Sequence, residues 1–192
     1  MWETLIQFDK EIFVALNQFH SPFFDQLMWW ISDKYIWIPL YAFLVYLIFR
    51  HKKKEGFIIL VLIALVVTLS DQTSVKIFKE GFERLRPCHN PELDSLIHLV
   101  NNKCGGQYGF VSSHAANTFS VAVFLSLLLS KHIRRIAYPL LFWAMLVSYS
   151  RIYLGVHYPA DIIGGAILGT FWGLTIYFGY SFTKHHFFRK FA

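Results

Sequence analysis

At 192 residues, 55% hydrophobic and 19% aromatic, the chain is sized for a single domain, 1–192, and is too apolar for an ordinary soluble fold. Its formal charge of +6 needs no nucleic acid, because the cations gather at the ends of apolar stretches, where anionic lipid is the natural neighbour. A lipid bilayer is therefore the expected partner.

Residues 2–19 place Trp2, Leu5, Ile6, Ile12, Phe13, Leu16 and Phe19 around Glu3, Asp9, Lys10 and Glu11, the pattern of an amphipathic helix lying on a membrane surface. The segment lacks the basic start of a signal peptide and is expected to stay in the mature chain. Residues 22–33 carry Trp29 and Trp30 and read as a short arm dipping into the interface, which makes 1–33 an interfacial or re-entrant segment. Apolar stretches then follow over 35–50, 56–78, 115–130, 135–150 and 159–182. Several approach the roughly 20 residues that cross a bilayer, and the shorter ones need local thinning or burial among neighbours. The expected fold class is all-α, an integral-membrane helical bundle of about five spans.

Basic clusters at Arg50–Lys54, Lys131–Arg135 and Lys184–Lys190 fall at alternate helix ends, so one topology places all three in the cytoplasm, with the N-terminus outside. Gly165, Gly169 and Gly173 recur every fourth residue, a spacing that admits a close second helix, inside the bundle first and in a homodimer second. Asp71 lies near the outer end of the second span and requires a partner, with Lys76 and the neighbouring cations as candidates.

Three polar islands interrupt the apolar pattern, all at the end predicted to face outward. The first is Lys79, six residues, then Arg86-Pro87; the second is Val111-Ser112-Ser113-His114; the third is Ser150-Arg151, five residues, His157, three residues, Asp161. Permanent cations, two histidines and a carboxylate near one of them suit metal-free phosphoryl transfer: charge for the phosphoryl oxygens, a nucleophile and an acid. If one helix runs through the first island, Lys79 and Arg86 point the same way, and Arg84, about 160° round from Arg86, faces solvent or head groups. Ser112 and Ser113 precede an apolar run as helix caps do, and a helix start also holds anions. His157 and Asp161 share a helical face, so the carboxylate can fix the tautomer that leaves one ring nitrogen free to attack. No His-Glu-x-x-His or paired-cysteine zinc spacing occurs among the nine histidines and two cysteines, and neither metal nor cofactor is expected.

Over roughly residues 20 to 182, the order and separations of these islands resemble the signature of the type 2 phosphatidic acid phosphatase family, whose pocket is shared with vanadium haloperoxidases. Val111 and Ser113 stand where that family usually has proline and glycine. The resemblance implies that Lys79, Arg86 and Arg151 bind phosphoryl oxygens, with contacts from the Ser112 hydroxyl and the Ser113 N–H. It implies that His114 protonates the leaving group and that His157, oriented by Asp161, forms a phosphohistidine. Family substrates point to undecaprenyl diphosphate first, because the inferred site faces outward from a bacterial cytoplasmic membrane. A lipid A or phosphatidylglycerophosphate phosphatase is the alternative. A vanadium haloperoxidase is opposed by the spans, and a non-catalytic lipid-binding or transport protein by the presence of both histidines.

The polar stretch 87–111, with Pro91, Gly105, Gly106 and Gly109, is expected to cap the site from outside. It holds Cys88 and Cys104, the only cysteines, which an oxidising compartment would join; two free thiols are the alternative.

Overall fold

The computed structural model describes residues 2–188. Helix α1 covers Trp2–Asn17 and α2 covers Pro22–Ser32, where the Ser21 hydroxyl accepts from Phe24 N and Pro22 opens the first turn. A single turn, Lys34–Trp37, leads into α3, Ile38–Lys52. Lys53 adopts positive φ, and a tight turn at Lys53–Glu55 reverses the chain into α4, Gly56–Gln72. That helix widens through a π-helical stretch, Thr73–Lys79, and ends in a last turn, α5, Glu80–Phe82, stopped by left-handed Glu83. After the 87–111 loop come α6, Ser113–Leu129, α7, Ala137–Tyr153, and α8, Pro159–Phe188. Among the described residues there is no strand, only an isolated bridge between Leu85 and Tyr108. Arg189 and Lys190, at the end of the third basic cluster, lie outside the described residues.

Helix α6 buries residues on most of its sides, Thr118, Ser120 and Ser126 among them, and such a helix belongs in the middle of a bundle. It packs Phe124, Leu125, Leu128 and Leu129 against Leu44 and Ile48 of α3, Ile59 of α4, and Leu140, Trp143 and Val147 of α7. The outer faces carry a different load: Phe57 is 68% exposed, Phe142 63% and Ile167 66%. Large apolar side chains turned outward on several helices form the surface that lipid tails cover. The helical segments Lys34–Phe82, which contains the α3–α4 turn, and Pro159–His186 are long and apolar enough to cross a membrane.

The glycine stripe of α8 is used inside the bundle. A Cβ on Gly165 would lie 2.5 Å from the Ser112 carbonyl oxygen, one on Gly169 2.2 Å from that of Ala116, and one on Gly173 2.7 Å from that of Ser120. The two backbones are thus in contact along three turns, and Ser112 N donates to the Asp161 carbonyl at 3.0 Å where the seam begins.

The N-terminal segment differs from expectation. Helix α1 does not simply lie on a surface: Phe13 is fully buried with Leu93, Ile152 and Tyr158. The Asn17 amide donates to the carbonyls of His98 and Tyr153 and accepts from His98 N. Helix α2 packs Met28 against Tyr153, Leu154 and Val156 at the end of α7. In both cases part of the apolar face covers protein, which the sequence pattern could not distinguish from lipid, while Phe8 and Phe23 stay exposed.

Gly169→Leu should lower the thermal midpoint of the detergent-solubilised protein sharply, by an amount equivalent to about 3 kcal/mol of overpacking. Gly179→Leu is the matched control, since nothing lies within 4 Å of its Cβ position, and it should leave the midpoint unchanged.

Candidate active site

The site forms where α6 and α8 begin. Pro159 opens α8, and the four-residue spacing brings His157, in the α7–α8 connection, over Asp161 in the first turn. Asp161 is fully buried and its carboxylate is saturated: Oδ2 accepts from Tyr158 N at 3.0 Å and from His157 Nδ1 at 3.2 Å, and Oδ1 accepts from Arg84 Nη1 at 2.9 Å. The other ring nitrogen, Nε2, faces Arg86 Nη1 at 3.2 Å. A guanidinium only donates, so Nε2 accepts, the ring proton sits on Nδ1 against Asp161, and the lone pair points toward the cations. Burial, followed by the charges of Arg86, Arg151, Lys79 and Arg84, holds the His157 pKa well below the ordinary 6.5. The imidazole is therefore neutral, the state in which it can act as a nucleophile.

Around it stand the other predicted residues. Lys79, at the end of the π-helical stretch, donates from Nζ to Ser113 Oγ at 2.8 Å, and Ser113 Oγ is 2.7 Å from Ser74 Oγ. Ser112 occupies the N-cap position of α6 without making a side-chain cap bond, and its buried hydroxyl has no partner among the described residues. Arg151 donates from Nη1 to Ser32 Oγ, while its buried Nε is likewise unpartnered. A buried hydroxyl and a buried guanidinium N–H left open beside a helix start are donors awaiting an anion. His114, second residue of α6, is exposed at the mouth of this group. Such an arrangement can grip a tetrahedral phosphoryl group, attack it from Nε2 and supply a proton from the open side.

Several expectations need correction. Lys79 and Arg86 do not share a helix: the turn at Glu83 breaks it, and Arg86 is set by Leu85 bridging Tyr108 and by Arg86 N donating to the Gln107 carbonyl at 3.1 Å. Arg84 does not face solvent or head groups. Its guanidinium stacks 4.2 Å over the Tyr158 ring and joins Asp161 to Asp9, whose Oδ2 is 2.6 Å from Arg84 Nη2. Asp71 makes no salt bridge among the described residues; its carboxylate accepts from the Asn117 amide at 3.2 Å and is near enough to Lys79 to act on it through charge.

The sequence reading also missed two residues. Asp9 comes from α1, where it looked like one polar position of an amphipathic helix, and its Oδ1 also accepts from Ala160 N at 2.9 Å. Gly109 packs where any Cβ would sit 2.9 Å from Asp161 Oδ2 and 3.5 Å from His157 Nδ1. Only its place in a loop near the islands hinted at the role of Gly109, and nothing in the sequence pattern hinted at that of Asp9.

The loop 87–111 is tied down over the site. Cys88 and Cys104 form a disulfide with Cα atoms 5.8 Å apart, Lys10 pairs with Glu92, and His98 Nε2 meets Asp25 Oδ1 at 3.0 Å. His20, Asp25 and His98 bring potential ligand atoms within 4.8 Å of one another. The two imidazoles stack in parallel at 3.7 Å, however, so their in-plane lone pairs do not converge, and Asp25 is already engaged by Tyr153. The cluster is a joint between α2 and the loop.

Known proteins resemble this chain in sequence and in fold. The model of the PAP2 superfamily matches residues 55–184, and the chain belongs to that family of phosphate-ester hydrolases. It is 40% identical to a Lipid A 4'-phosphatase of Bacteroides thetaiotaomicron over 93% of its length and 79% of the relative's. It is 32% identical to an Undecaprenyl-diphosphatase of Sulfolobus acidocaldarius over 88% of its length and 76% of the relative's. The fold is shared with the crystal structure of a transmembrane PAP2-type phosphatidylglycerolphosphate phosphatase from Bacillus subtilis, at a TM-score of 0.70 and 24% identity, covering 94% of this chain and 87% of that one.

Arg84→Gln should lower kcat on p-nitrophenyl phosphate about a hundredfold, as expected when a catalytic group is displaced by ~1 Å, with KM little changed. Asp9→Asn should cause a smaller loss in the same direction. An unchanged kcat in Arg84→Gln would show that Asp161 holds His157 unaided.

Proposed function

We propose that the chain is an integral-membrane lipid phosphatase in which His157 attacks phosphorus and Asp161 holds its ring. The observation that carries this reading is the buried His157 imidazole, pinned through Nδ1 by the Asp161 carboxylate, with Nε2 turned toward Arg86. In the proposed course Lys79, Arg86 and Arg151 grip the phosphoryl oxygens, assisted by the Ser112 hydroxyl and the start of α6. His157 Nε2 forms the P–N bond as the ester P–O bond breaks, and His114 gives a proton to the departing oxygen. The same His114 then takes a proton from water, whose oxygen attacks the phosphohistidine to release inorganic phosphate and free His157. The three cations supply the charge that a metal ion would bring, so activity is expected to survive EDTA.

The substrate proposed is the phosphate monoester of lipid A, in place of the undecaprenyl diphosphate that the sequence reading put first. Similarity to the Lipid A 4'-phosphatase is greater than to the Undecaprenyl-diphosphatase, 40% against 32% identity. The outward-facing site that suggested undecaprenyl diphosphate is equally suited to lipid A. A sugar alkoxide is also a poor leaving group, and an exposed general acid at His114 serves it well.

In the membrane, α3, α4, α6, α7 and α8 would form about five spans, with 87–111 as an outer cap and the site on the periplasmic face of a bacterial cytoplasmic membrane. This orientation is supported by Arg50–Lys54 and Lys131–Arg135, which lie at the bundle end away from His157.

Phosphate release by the purified protein from lipid A, undecaprenyl diphosphate and phosphatidylglycerophosphate, with and without EDTA, tests the assignment. The highest kcat/KM should be on lipid A. A faster reaction on undecaprenyl diphosphate would reverse the substrate assignment, and a strict need for added Mg²⁺ or Zn²⁺ would remove the metal-free mechanism. His157→Gln should abolish turnover of every substrate. His114→Ala should retain a larger share of activity on p-nitrophenyl phosphate than on lipid A, because the aryl leaving group needs less protonation; equal losses would sink the role of His114.

A further inference from the structure

A second basic pocket lies at the other end of the bundle. Asp161 is in the first turn of α8 and Lys184 near its last, a separation of about 35 Å at 1.5 Å per residue, close to the thickness of a bilayer's hydrocarbon core. Here Lys52, Lys53 and Glu55 of the α3–α4 turn, Lys131 and His132 beyond α6, and Lys184 of α8 surround a cavity of about 380 Å³.

The charges in this wall do not balance. Glu55 is the one carboxylate among the described residues of this wall, and it is occupied: its oxygens accept from Lys184 Nζ at 2.8 and 2.7 Å and from the Tyr180 hydroxyl at 2.9 Å. Lys52, Lys53 and Lys131 line the same space, and the single charge of Glu55, already bonded to Lys184, is shared with Lys52, so positive charge is in excess there, a repulsive arrangement that a bound anion would relieve. A generic positive-inside loop needs lysines that are merely exposed. These line a concavity built from three elements far apart in sequence, while Lys54 and Arg134, in the same two loops, do not line it.

We propose that this pocket binds a phosphate group, that of an anionic phospholipid headgroup in the leaflet opposite the active site. Its volume suits a phosphate with a small polar head but not a whole lipid, and Phe57 and Phe178, neighbours in sequence of the pocket-forming elements, are exposed apolar surface for the chains. The site is independent of turnover at His157, and free inorganic phosphate offers the same chemistry.

Native mass spectrometry of the full chain in neutral detergent tests the proposal, with phosphatidylglycerol, phosphatidylcholine and inorganic phosphate as probes. Phosphatidylglycerol should be retained in preference to phosphatidylcholine. Lys52→Gln with Lys131→Gln should weaken that retention roughly tenfold or more, from the loss of two lysines near a membrane surface. Lys54→Gln with Arg134→Gln removes the same charge from the same loops outside the pocket and should leave retention unchanged. An unchanged elution profile and thermal midpoint confirm that each variant is folded, whatever its activity. If inorganic phosphate displaces the lipid, with the same dependence on Lys52 and Lys131, the site holds phosphate from either source. Equal retention of the two lipids, or equal losses in the two double variants, would overturn the proposal.

Discussion

The contact on which the rest of the structure depends is the seam where α8 has no side chains. Gly165, Gly169 and Gly173 let its backbone meet that of α6 closely enough that any larger residue would strike a carbonyl oxygen. Two helices brought this near also align their starts, and the Ser112 N–H donates to the Asp161 carbonyl. The start of α6 and the His157–Asp161 pair at the head of α8 thus come together, though the two motifs lie more than forty residues apart in the chain. Small residues at an interhelical contact are the means of close packing available where no hydrophobic gain comes from leaving lipid.

A buried carboxylate is costly unless its lone pairs are filled, and Asp161 shows how the fold meets that cost. Tyr158 N, His157 and Arg84 all donate to it, and Arg84 is in turn held by Asp9 from the first helix. One consequence is structural: α1 is coupled to the site through the Asp9–Arg84 pair and the packing of Phe13. The other is chemical. Burial first, and then the cations around it, hold the His157 pKa low, and its free nitrogen faces Arg86.

The two ends of the bundle use positive charge differently. At the His157 end, Arg84 is neutralised by Asp9 and Asp161, while Arg86 and Arg151 are held by carbonyl, ring-nitrogen or hydroxyl acceptors that leave their charge available. At the far end one carboxylate among the described residues, Glu55, answers several lysines. Between them the exposed aromatic and aliphatic residues of α3, α4, α7 and α8 form the apolar girdle that the length of α8 requires.

The sequence by itself determined the features that repeat along one element or sit within a few residues of each other. Apolar runs located the helices, the every-fourth-residue glycines marked the seam, and the i, i+4 spacing paired His157 with Asp161. The two cysteines in one polar loop allowed the bridge that the structure contains. Tertiary structure decided what joins distant segments. Arg84 and Arg86, two positions apart, are directed by different partners because Glu83 ends the helix that would have fixed their relative angle. Asp9 reaches Arg84 across 75 residues, Gly109 fits against Asp161 across 52, and Asn117 donates to Asp71 across 46. Helical periodicity reports which face of an element is buried but not what covers it. Only the packed chain shows whether a polar side chain meets water, a lipid head group or a charge from another helix.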